Sequence, residues 1–516
     1  MRNDGQSTSF FINESSRFIL VLHLLLAGVY FFLVTFWFPR GNTILFGLFL
    51  IGEIFHVWQV STFVHTIWDT ERVFKGDSTF TPPVDVLITV AGEPVSIVEK
   101  TVRAIKQMRY PNFRVFILND GFVAKKKNWQ EIESLASREG VFCITRQTPG
   151  GAKAGNINNA LRQIISPFFA VFDADHVPHP DFLKRTVPYF SKDEVGFVQT
   201  PQYYENHDLN YVTGGAWEQQ KLFFGPICKG KNRFGIVTMC GTNMVIRRRA
   251  ILEVGGMCDT NIAEDFVTGL FIHKKGWESV YVSEILAKGL APQDFSSYVK
   301  QQHRWARGSL EVIFNFNPIF SRELTVSQKI QYLSSASYYL SGFVVALNAL
   351  FPLMFLFWGI SPLKISSMLL AGVFLPYIFI TMYSLQLSSN FNYSFRALAF
   401  SMSSFFIHMR ALVEVVINRK NSFSVTPKRM VRNDLDKNTL LVLPHILYIA
   451  LIPIGLVAAV IREGFDPSVI TNLAWIFFNV VTFIPFIIAA SPRGSVSQEN
   501  FLFDQRSLKE QAVLKA

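Results

Sequence analysis

The chain has 516 residues, of which 50% are hydrophobic and only 17% are charged, and its formal net charge is +11. This composition excludes a disordered chain and is unusual for a soluble protein, so membrane spans are the first expectation. The positive charge does not require nucleic acid, because the basic residues lie beside apolar segments, where anionic lipids and phosphorylated substrates explain them.

Two apolar runs near the start predict membrane helices. The run 18–38 is long enough to cross a hydrocarbon core of about 30 Å and lacks a small-residue cleavage site, so we expect a retained helix and no signal peptide. A second run, 43–61, follows the turn at Arg40. Within it, Glu53 and His56 are one helical turn apart. We expect them to face either the interior of the helix bundle or the membrane–water interface.

From residue 70 to about 310 the pattern is that of a soluble α/β domain. Short β-rich runs alternate with amphipathic helical patterns, which predicts a Rossmann-like sheet with functional residues at the carboxyl ends of its strands. Its four cysteines form no C-x-x-C pair and indicate reduced thiols in the cytosol. The predicted strands are 84–90, 114–118, 142–146 and one ending at Asp173, and the predicted helices are 95–107, 129–138 and 156–165.

The remaining chain is apolar again and predicts four further spans. The segment 395–417 alternates apolar and polar faces, so we interpret it as an amphipathic helix on the membrane surface. Lys and Arg concentrate in 418–437 and in the tail, which places the α/β domain in the cytosol. The predicted spans after the domain are 340–360, 365–385, 440–460 and 472–490, giving about six in all.

These patterns divide the chain into four parts. We expect an N-terminal segment with two transmembrane helices (1–69), a cytosolic α/β domain (70–310), interfacial helices with four transmembrane helices (311–490), and a cytosolic tail (491–516).

The strand ending at Asp173 carries the motif that indicates chemistry. Asp173 and Asp175 are separated by one residue, so both carboxylates can converge on one divalent cation that then holds a diphosphate. An Asp-x-Asp alone is also common in solvated turns. The motif therefore depends on what surrounds it.

Two earlier loops fit a nucleotide site. In Asn119-Asp120-Gly121, Asp120 can accept from a uracil imide, although an ordinary Asx-turn has the same sequence. The small-residue loop at Gly150 leads to Lys153, and its backbone N–H groups and one Lys can meet a phosphate, although such a loop also occurs for flexibility alone.

Two later motifs fit a sugar site. Glu264 and Asp265 stand at the head of a helical pattern, where acidic residues are also common as helix caps. The segment 301–308 combines Trp305, a planar surface for a sugar ring, with guanidinium groups for phosphate. Its alternative interpretation is an interfacial helix with snorkelling arginines.

In this order, the motifs resemble those of the membrane-integrated family-2 glycosyltransferases, and among them the cellulose synthase-like polymer synthases. The resemblance covers about 82–428 and ends in an F-x-V-T-x-K pattern, the gating loop of cellulose synthases. The other matching segments are 119–121, 152–156, 173–175, 197–201, 240–243, 263–265, 276–277, 289–292 and the Q-x-x-R-W of 301–305.

The resemblance implies a glycosyltransferase A-type domain inserted in a transmembrane bundle, with inverting transfer from a UDP-sugar to a growing polysaccharide. Mg²⁺ or Mn²⁺ would be held by Asp173 and Asp175, and Asp265, with Glu264 beside it, would be the general base. Donor binding would fall to Glu93, Asp120, Lys153, Asp173, Gln301, Arg304, Thr426 and Lys428. Acceptor binding would fall to Trp305, Cys240 and Gly241, and the gating loop would be formed by Phe423, Val425, Thr426 and Lys428.

The chain also departs from the family pattern. Val90-Ala91-Gly92-Glu93 stands where T-Y-N-E is common, so the aromatic beside the uracil is missing and nucleotide recognition rests mainly on Asp120. Ala263 replaces the threonine of T-E-D. The 26 residues after Ala490 leave no room for a PilZ-like regulatory domain.

We therefore expect a processive synthase in the plasma (inner) membrane that makes and exports a β-glucan, as exopolysaccharide or capsule, from UDP-glucose. Its expected partners are the donor, the growing polysaccharide and membrane lipids, with no nucleic acid and with a homo-oligomer left open. A UDP-N-acetylglucosamine-using polymer synthase and a single-transfer lipid-linked enzyme are alternatives, and an export channel or scaffold without catalysis is a third.

Overall fold

The computed structural model describes residues 14–69, 76–419 and 435–495, and ten strands lie in those ranges. The strands are β1 Val84–Val90, β2 Phe113–Asn119, β3 Phe142–Thr145, β4 Phe168–Asp173, β5 Val177–Pro178, β6 Val195–Gln199, β7 Tyr203–Tyr204, β8 Met244–Arg247, β9 Glu278–Tyr281 and β10 Ala287–Gly289.

The same ranges contain 19 α-helices. They are α1 Glu14–Phe32, α2 Thr43–Ile67, α3 Val95–Lys106, α4 Trp129–Glu139, α5 Ala152–Ala160, α6 Phe182–Thr186, α7 Tyr211–Leu222, α8 Cys228–Arg233, α9 Arg248–Glu253, α10 Glu264–Lys274, α11 Phe295–Glu311, α12 Val326–Ser337, α13 Ser341–Trp358, α14 Ser367–Ser388, α15 Phe395–Ser403, α16 Phe405–Val416, α17 Leu435–Glu463, α18 Pro467–Ala490 and α19 Pro492–Ser495.

A seven-stranded mixed sheet forms the centre of the α/β region. Its strand order is β3-β2-β1-β4-β8-β6-β9, and β8 runs antiparallel to both of its neighbours, whereas the other neighbouring strands are parallel. Strands β5, β10 and β7 form a small second sheet. The carboxyl ends of β1, β2, β3 and β4 therefore meet at one edge, where a ligand is expected in an open α/β sheet.

Helices cover both faces of the large sheet. Every residue of β1 is buried, and its side chains alternate between two apolar clusters: Val86 and Ile88 contribute to one, and Leu87 to the other. The first cluster includes apolar residues of α3, α4 and α6, and the second includes those of α5, α9 and α10. Each fully buried side chain of this kind contributes about 1.5–3 kcal/mol, so the sheet edge rests on a rigid support.

Seven helices in the described ranges are long and apolar enough to cross a membrane by length and composition, one more than predicted. They are Ser16–Trp37, Thr43–Ile67, Val326–Trp358, Ser367–Ser388, Phe395–Val416, Asn438–Glu463 and Pro467–Ala490. The additional one is the segment that the sequence predicts as a surface helix.

This additional segment consists of two helices, α15 and α16, that contact the α/β region. Arg396 of α15 pairs with Glu218 of α7, and Glu414 of α16 accepts from Arg307 of α11 at 3.2 Å. An aromatic cluster joins the same helices to α18, with Phe295 and Phe486 ring centroids 4.9 Å apart. The α/β region and the apolar helices therefore pack directly against each other.

Candidate active site

A polar cleft of about 340 Å³ opens at the carboxyl edge of the large sheet. Its walls include the residues that follow β1, β2, β3 and β4 and the beginnings of α5 and α10, together with one face of α11. We call it the donor cleft. Of the predicted site residues, it is lined by Glu93, Asp120, Lys153, Asp173, Asp175, Cys240, Glu264, Asp265, Gln301, Arg304 and Trp305.

Asp120 is held by an arginine that the sequence analysis did not single out. Arg146 follows β3 and binds the carboxylate of Asp120 through two N–H groups, at 2.7 Å and 2.6 Å. Both side chains are buried, and burial raises the pKa of Asp120 while the guanidinium opposes that rise. The neighbouring Asn119 accepts from the N–H of Gly121 at 2.9 Å, so the Asx-turn exists and leaves Asp120 facing the cleft.

The glycine loop before α5 has the conformation that only glycine adopts easily. Gly150 and Gly151 have φ of 130° and 63°, and Arg146 donates to the carbonyl of Gly150. Helix α5 begins at Ala152 and not at Asn156 as predicted, because the small-residue run is itself helical. Lys153 consequently lies in the first turn of the helix and pairs with Asp173.

Asp173, Asp175 and His176 form a group that could hold a cation. One ligand atom from each lies within 4.8 Å of the others. The Nδ1 atom of His176 lies 2.9 Å from Oδ1 of Asn243, a contact that fixes the orientation of the imidazole ring. Carboxylates with one imidazole suit Mn²⁺ well, whereas Mg²⁺ prefers oxygen ligands alone.

Asp265 lies at the start of α10, directly over Gly241. A Cβ atom at position 241 would lie 2.8 Å from Oδ2 of Asp265, and Gly241 has φ of 76°. The N–H of Phe266 donates to Oδ1 of Asp265 at 2.8 Å. Burial raises the pKa of Asp265 and, together with the charge of Asp265, that of Glu264, while Lys153 and Arg304 oppose both rises. Asp265 thus forms part of the cleft wall and also accepts from a first-turn N–H of its own helix.

Helix α11 brings the Q-x-x-R-W residues to the same place. It begins after Asp294, whose side chain accepts from the N–H of Ser297 at 2.9 Å. Any side chain at Gly308 would collide with Ala263, so the two helices approach closely just before Asp265. Because Gly308 and Ala263 are small, the two helices can approach closely enough for Trp305 to lie beside the Asp265 carboxylate.

A second cavity of about 320 Å³, which we call the inner cavity, continues beyond Trp305. Amide, hydroxyl and aromatic side chains of α2, α7, α12 and α15 line it together with Lys231 of α8, so it extends toward the apolar helices. The donor cleft and the inner cavity share five lining residues: Gln202, Cys240, Ala263, Asp265 and Trp305.

The predicted site residues and the residues that line the donor cleft are not the same set. The gating-loop residues Phe423, Val425, Thr426 and Lys428 lie outside the described residues. Gly241 does not line either cavity, but it leaves the space in which Asp265 lies. The sequence analysis missed His176 and Arg146; the first could have been found from its place beside Asp175, whereas no local pattern marks the second.

The sheet carries paired aspartates after a central strand, and a further carboxylate stands at the head of a later helix. Together these features define a class of protein, the glycosyltransferases of the A-type fold. The structure of the mannosyltransferase from Pyrobaculum calidifontis, in complex with GDP-Man and Mn²⁺, supports this fold with a TM-score of 0.52 at 16% identity, covering 72% of this chain and all of that one.

Two family models match the chain: "Glycosyltransferase like family 2" over 82–308 and "Cellulose synthase" over 252–487. The cellulose synthase catalytic subunit (UDP-forming) of Pseudomonas fluorescens is 28% identical over 88% of this chain and 63% of its own length. The putative cellulose synthase 2 of Komagataeibacter xylinus is 31% identical over 67% of this chain and 23% of its own length.

The chain belongs to the cellulose synthase-like family-2 glycosyltransferases. This confirms the predicted family, the predicted fold and the assignment as an enzyme. The chain spans less than two thirds of the length of these relatives, 63% of the first and 23% of the second.

Proposed function

We propose that the chain is a processive inverting glycosyltransferase that polymerises glucose from UDP-glucose into a β-glucan and passes the polymer across the plasma membrane. The observation that carries this proposal is the junction at Asp265 and Trp305, where the donor cleft adjoins the inner cavity. An enzyme that transfers one sugar needs only the cleft. A second cavity that continues toward apolar helices provides space for a product that stays bound and grows.

The reaction is a single displacement at the anomeric carbon of the donor. The acceptor hydroxyl attacks C1, the bond between C1 and the diphosphate oxygen breaks, and UDP leaves with the electron pair. Asp265 takes the proton of the attacking hydroxyl, a contribution of about 10²- to 10⁴-fold for a positioned carboxylate. Glu264 lies beside this base, and Arg304 offsets negative charge on the departing UDP.

Donor binding is assigned to the edge of the sheet. Asp120 accepts from the uracil imide, with Arg146 fixing its orientation, and Glu93 lines the same wall. Lys153 binds the diphosphate in exchange for its contact with Asp173. Gln301 on α11 is a further proposed donor-binding residue. Thr426 and Lys428 are assigned to donor binding from the family resemblance alone.

A divalent cation fits the group of Asp173, Asp175 and His176. When bound there, the cation would offset the charge on the diphosphate. Thr89 Oγ1 donates to Asp173 Oδ1 at 3.2 Å, and the N–H of Leu290 donates to Asp175 Oδ2 at 3.2 Å, so both carboxylates are oriented before any ligand arrives. The presence of an imidazole favours Mn²⁺ over Mg²⁺.

Acceptor binding is assigned to Trp305 and the segment at Cys240 and Gly241. Trp305 provides a flat surface for a sugar ring, and Gln202 donates to the carbonyl of Cys240 at 3.0 Å, which fixes the wall opposite. The linkage then follows from which acceptor hydroxyl this pair presents to Asp265.

Membrane insertion is proposed from the apolar helices and from the positive charge of 418–437. The domain limits 1–69, 70–310, 311–490 and 491–516 form part of this proposal, with the α/β domain in the cytosol. The UDP-forming relatives support a UDP-sugar donor.

The test is incorporation of label into high-molecular-weight material by the purified protein in detergent. UDP-glucose and UDP-N-acetylglucosamine are supplied separately, with Mn²⁺, with Mg²⁺ or with EDTA. We expect polymer from UDP-glucose with either metal, less or none with EDTA, and cleavage by a linkage-specific β-glucanase. If only UDP-N-acetylglucosamine gives polymer, the donor assignment is wrong and the proposed mechanism still holds. If only a single sugar is added to the acceptor, the enzyme is not processive.

A further inference from the structure

Lys231 is a buried cation on the wall of the inner cavity. It belongs to α8 and is only 3% exposed. Its ammonium group donates to Oγ1 of Thr238 at 3.0 Å and to Oγ of Ser335 on α12. An ammonium carries three N–H donors, and both of these partners are neutral hydroxyls.

No carboxylate forms a salt bridge with Lys231 in the part of the chain that the structure describes. Three described ionisable groups interact with its charge: the thiols of Cys228 and Cys240, whose pKa values are raised by burial, and the imidazole of His273, whose pKa is lowered by burial and by Lys231. Burial lowers the pKa of Lys231 to about 8, so the side chain is still mainly protonated at neutral pH. Buried charges are normally paired, and this one has no counter-charge among the described residues.

An amide with one unpaired end lines the same cavity as Lys231. Gln331 of α12 is fully buried; one end of its side-chain amide lies 2.9 Å from Oγ1 of Thr66, and the other end has no hydrogen-bond partner among the described residues. Ser335 of the same helix donates to the backbone carbonyl of Gln331 at 3.0 Å and also contacts Lys231. Gln331 therefore lies one helical turn from the hydroxyl that binds Lys231. Both line the inner cavity.

We propose that Lys231 and Gln331 form an acceptor subsite for an anionic group, the carboxylate of a hexuronate unit. A carboxylate oxygen can accept from the remaining N–H of the ammonium, and the carboxylate supplies the missing charge. A neutral sugar can satisfy the hydrogen bonds but leaves the cation uncompensated. The inference rests on the proposed function in taking the inner cavity as the place of the acceptor, and it adds a second donor to UDP-glucose, a UDP-hexuronate that supplies the acidic units.

Binding of two oligosaccharides of equal length tests this subsite without any turnover. Calorimetry on the full-length protein in detergent compares cellotetraose with the tetramer oxidised to carboxylates at C6. We expect the wild type to prefer the oxidised tetramer by about 30-fold at low salt, as for a buried charge pair, and less at high salt. Lys231→Met should abolish the preference and Lys231→Arg should retain it.

Gln331→Glu provides a second variant that keeps Lys231. The introduced carboxylate would neutralise the ammonium from inside the protein, so the preference for the oxidised tetramer should disappear although the side chain keeps its shape. Lys184→Met, at an exposed lysine of α6, is the matched control and should bind like the wild type. If Lys231→Met does not fold, as judged by its melting temperature, Gln331→Glu decides the question.

Equal binding of the two tetramers by the wild type, or a preference that survives Gln331→Glu and Lys231→Met, would overturn the subsite. A preference for cellotetraose that depends on Lys231 would overturn the anionic assignment, because the lysine would then bind hydroxyl groups. Polymer formation from UDP-glucose is measured in the same preparation. Polymer without a binding preference refutes this inference alone, whereas a preference without consumption of any UDP-sugar refutes the proposed function alone.

Discussion

The donor cleft and the inner cavity meet at Asp265 and Trp305 but are built differently. In the donor cleft, charges occur in compensated pairs such as Asp120 with Arg146 and Asp173 with Lys153. The inner cavity is lined mainly by amides, hydroxyls and aromatic rings, and its charged lining residues among those described are Asp265 at the junction and Lys231, which forms no salt bridge there. The proposed function accordingly assigns the highly charged, metal-bound donor to the cleft and the sugar chain to the cavity.

The junction gives the largest expected effect. Asp265→Asn removes the proton acceptor and keeps the size of the side chain, so we expect polymer formation to fall by about 10²- to 10⁴-fold. UDP binding, measured by calorimetry, should change little, because the donor is held at the other end of the cleft. Asp193→Asn, at a fully exposed carboxylate, is the control. Full activity of Asp265→Asn would remove this residue from the mechanism.

The second prediction concerns the compensated pair in the donor cleft. Arg146→Met leaves the buried Asp120 carboxylate without its partner, which should lower the free energy of unfolding by about 3–5 kcal/mol and weaken UDP binding. Adding Asp120→Asn removes the unpaired charge and should recover much of the stability but not UDP binding. A double-mutant cycle of denaturation midpoints measures the coupling. Additive effects would contradict a compensated pair.

The same contrast explains what sequence could predict. Strand β1 was predicted with its observed bounds, and Asp120 and Asp173 were predicted at strand ends, because short β-rich runs and a turn motif are local signals. Parallel strands then bring their ends to one edge, so the cleft follows from the chain order. These residues line the cleft as expected.

The inner cavity had no such signal. Thr66, Lys231 and Gln331 come from three helices far apart in sequence, and nothing in the local pattern of any one of them predicts that they meet. Arg146 was missed for the same reason, since its partner belongs to another strand end. Helix α5 was predicted to begin four residues too late, at Asn156 instead of Ala152, because a glycine-rich run resembles a loop.

A third prediction tests the space that Asp265 occupies. Gly241→Ala places a methyl group 2.8 Å from Oδ2 of Asp265 and on a backbone with φ of 76°, where side chains are rarely accommodated. The carboxylate must move, and a displacement of about 1 Å can reduce a rate by about 10²-fold. We expect a lower kcat with little change in the Kd for UDP. Gly140→Ala, at a helix end where the added atom meets open space, shows how much of the loss is backbone strain alone. A rate equal to that of the control would mean that Asp265 tolerates the shift.

The smallest expected effect is a change in pH dependence at the junction. Burial raises the pKa of Asp265 and of Glu264, and the negative charge of Asp265 raises that of Glu264 further. A base must be deprotonated, so polymerisation should increase as pH rises through values above the ordinary carboxylate range. Because coupled carboxylates lose their protons in two steps, Glu264→Gln should leave one step and move the acidic limb of kcat/KM to lower pH, by about one unit or less. Glu131→Gln, at an exposed glutamate of α4, should leave the limb in place. An acidic limb that stays at the wild-type pH in Glu264→Gln would show that Asp265 titrates alone, and its raised pKa would then come from burial without help from its neighbour.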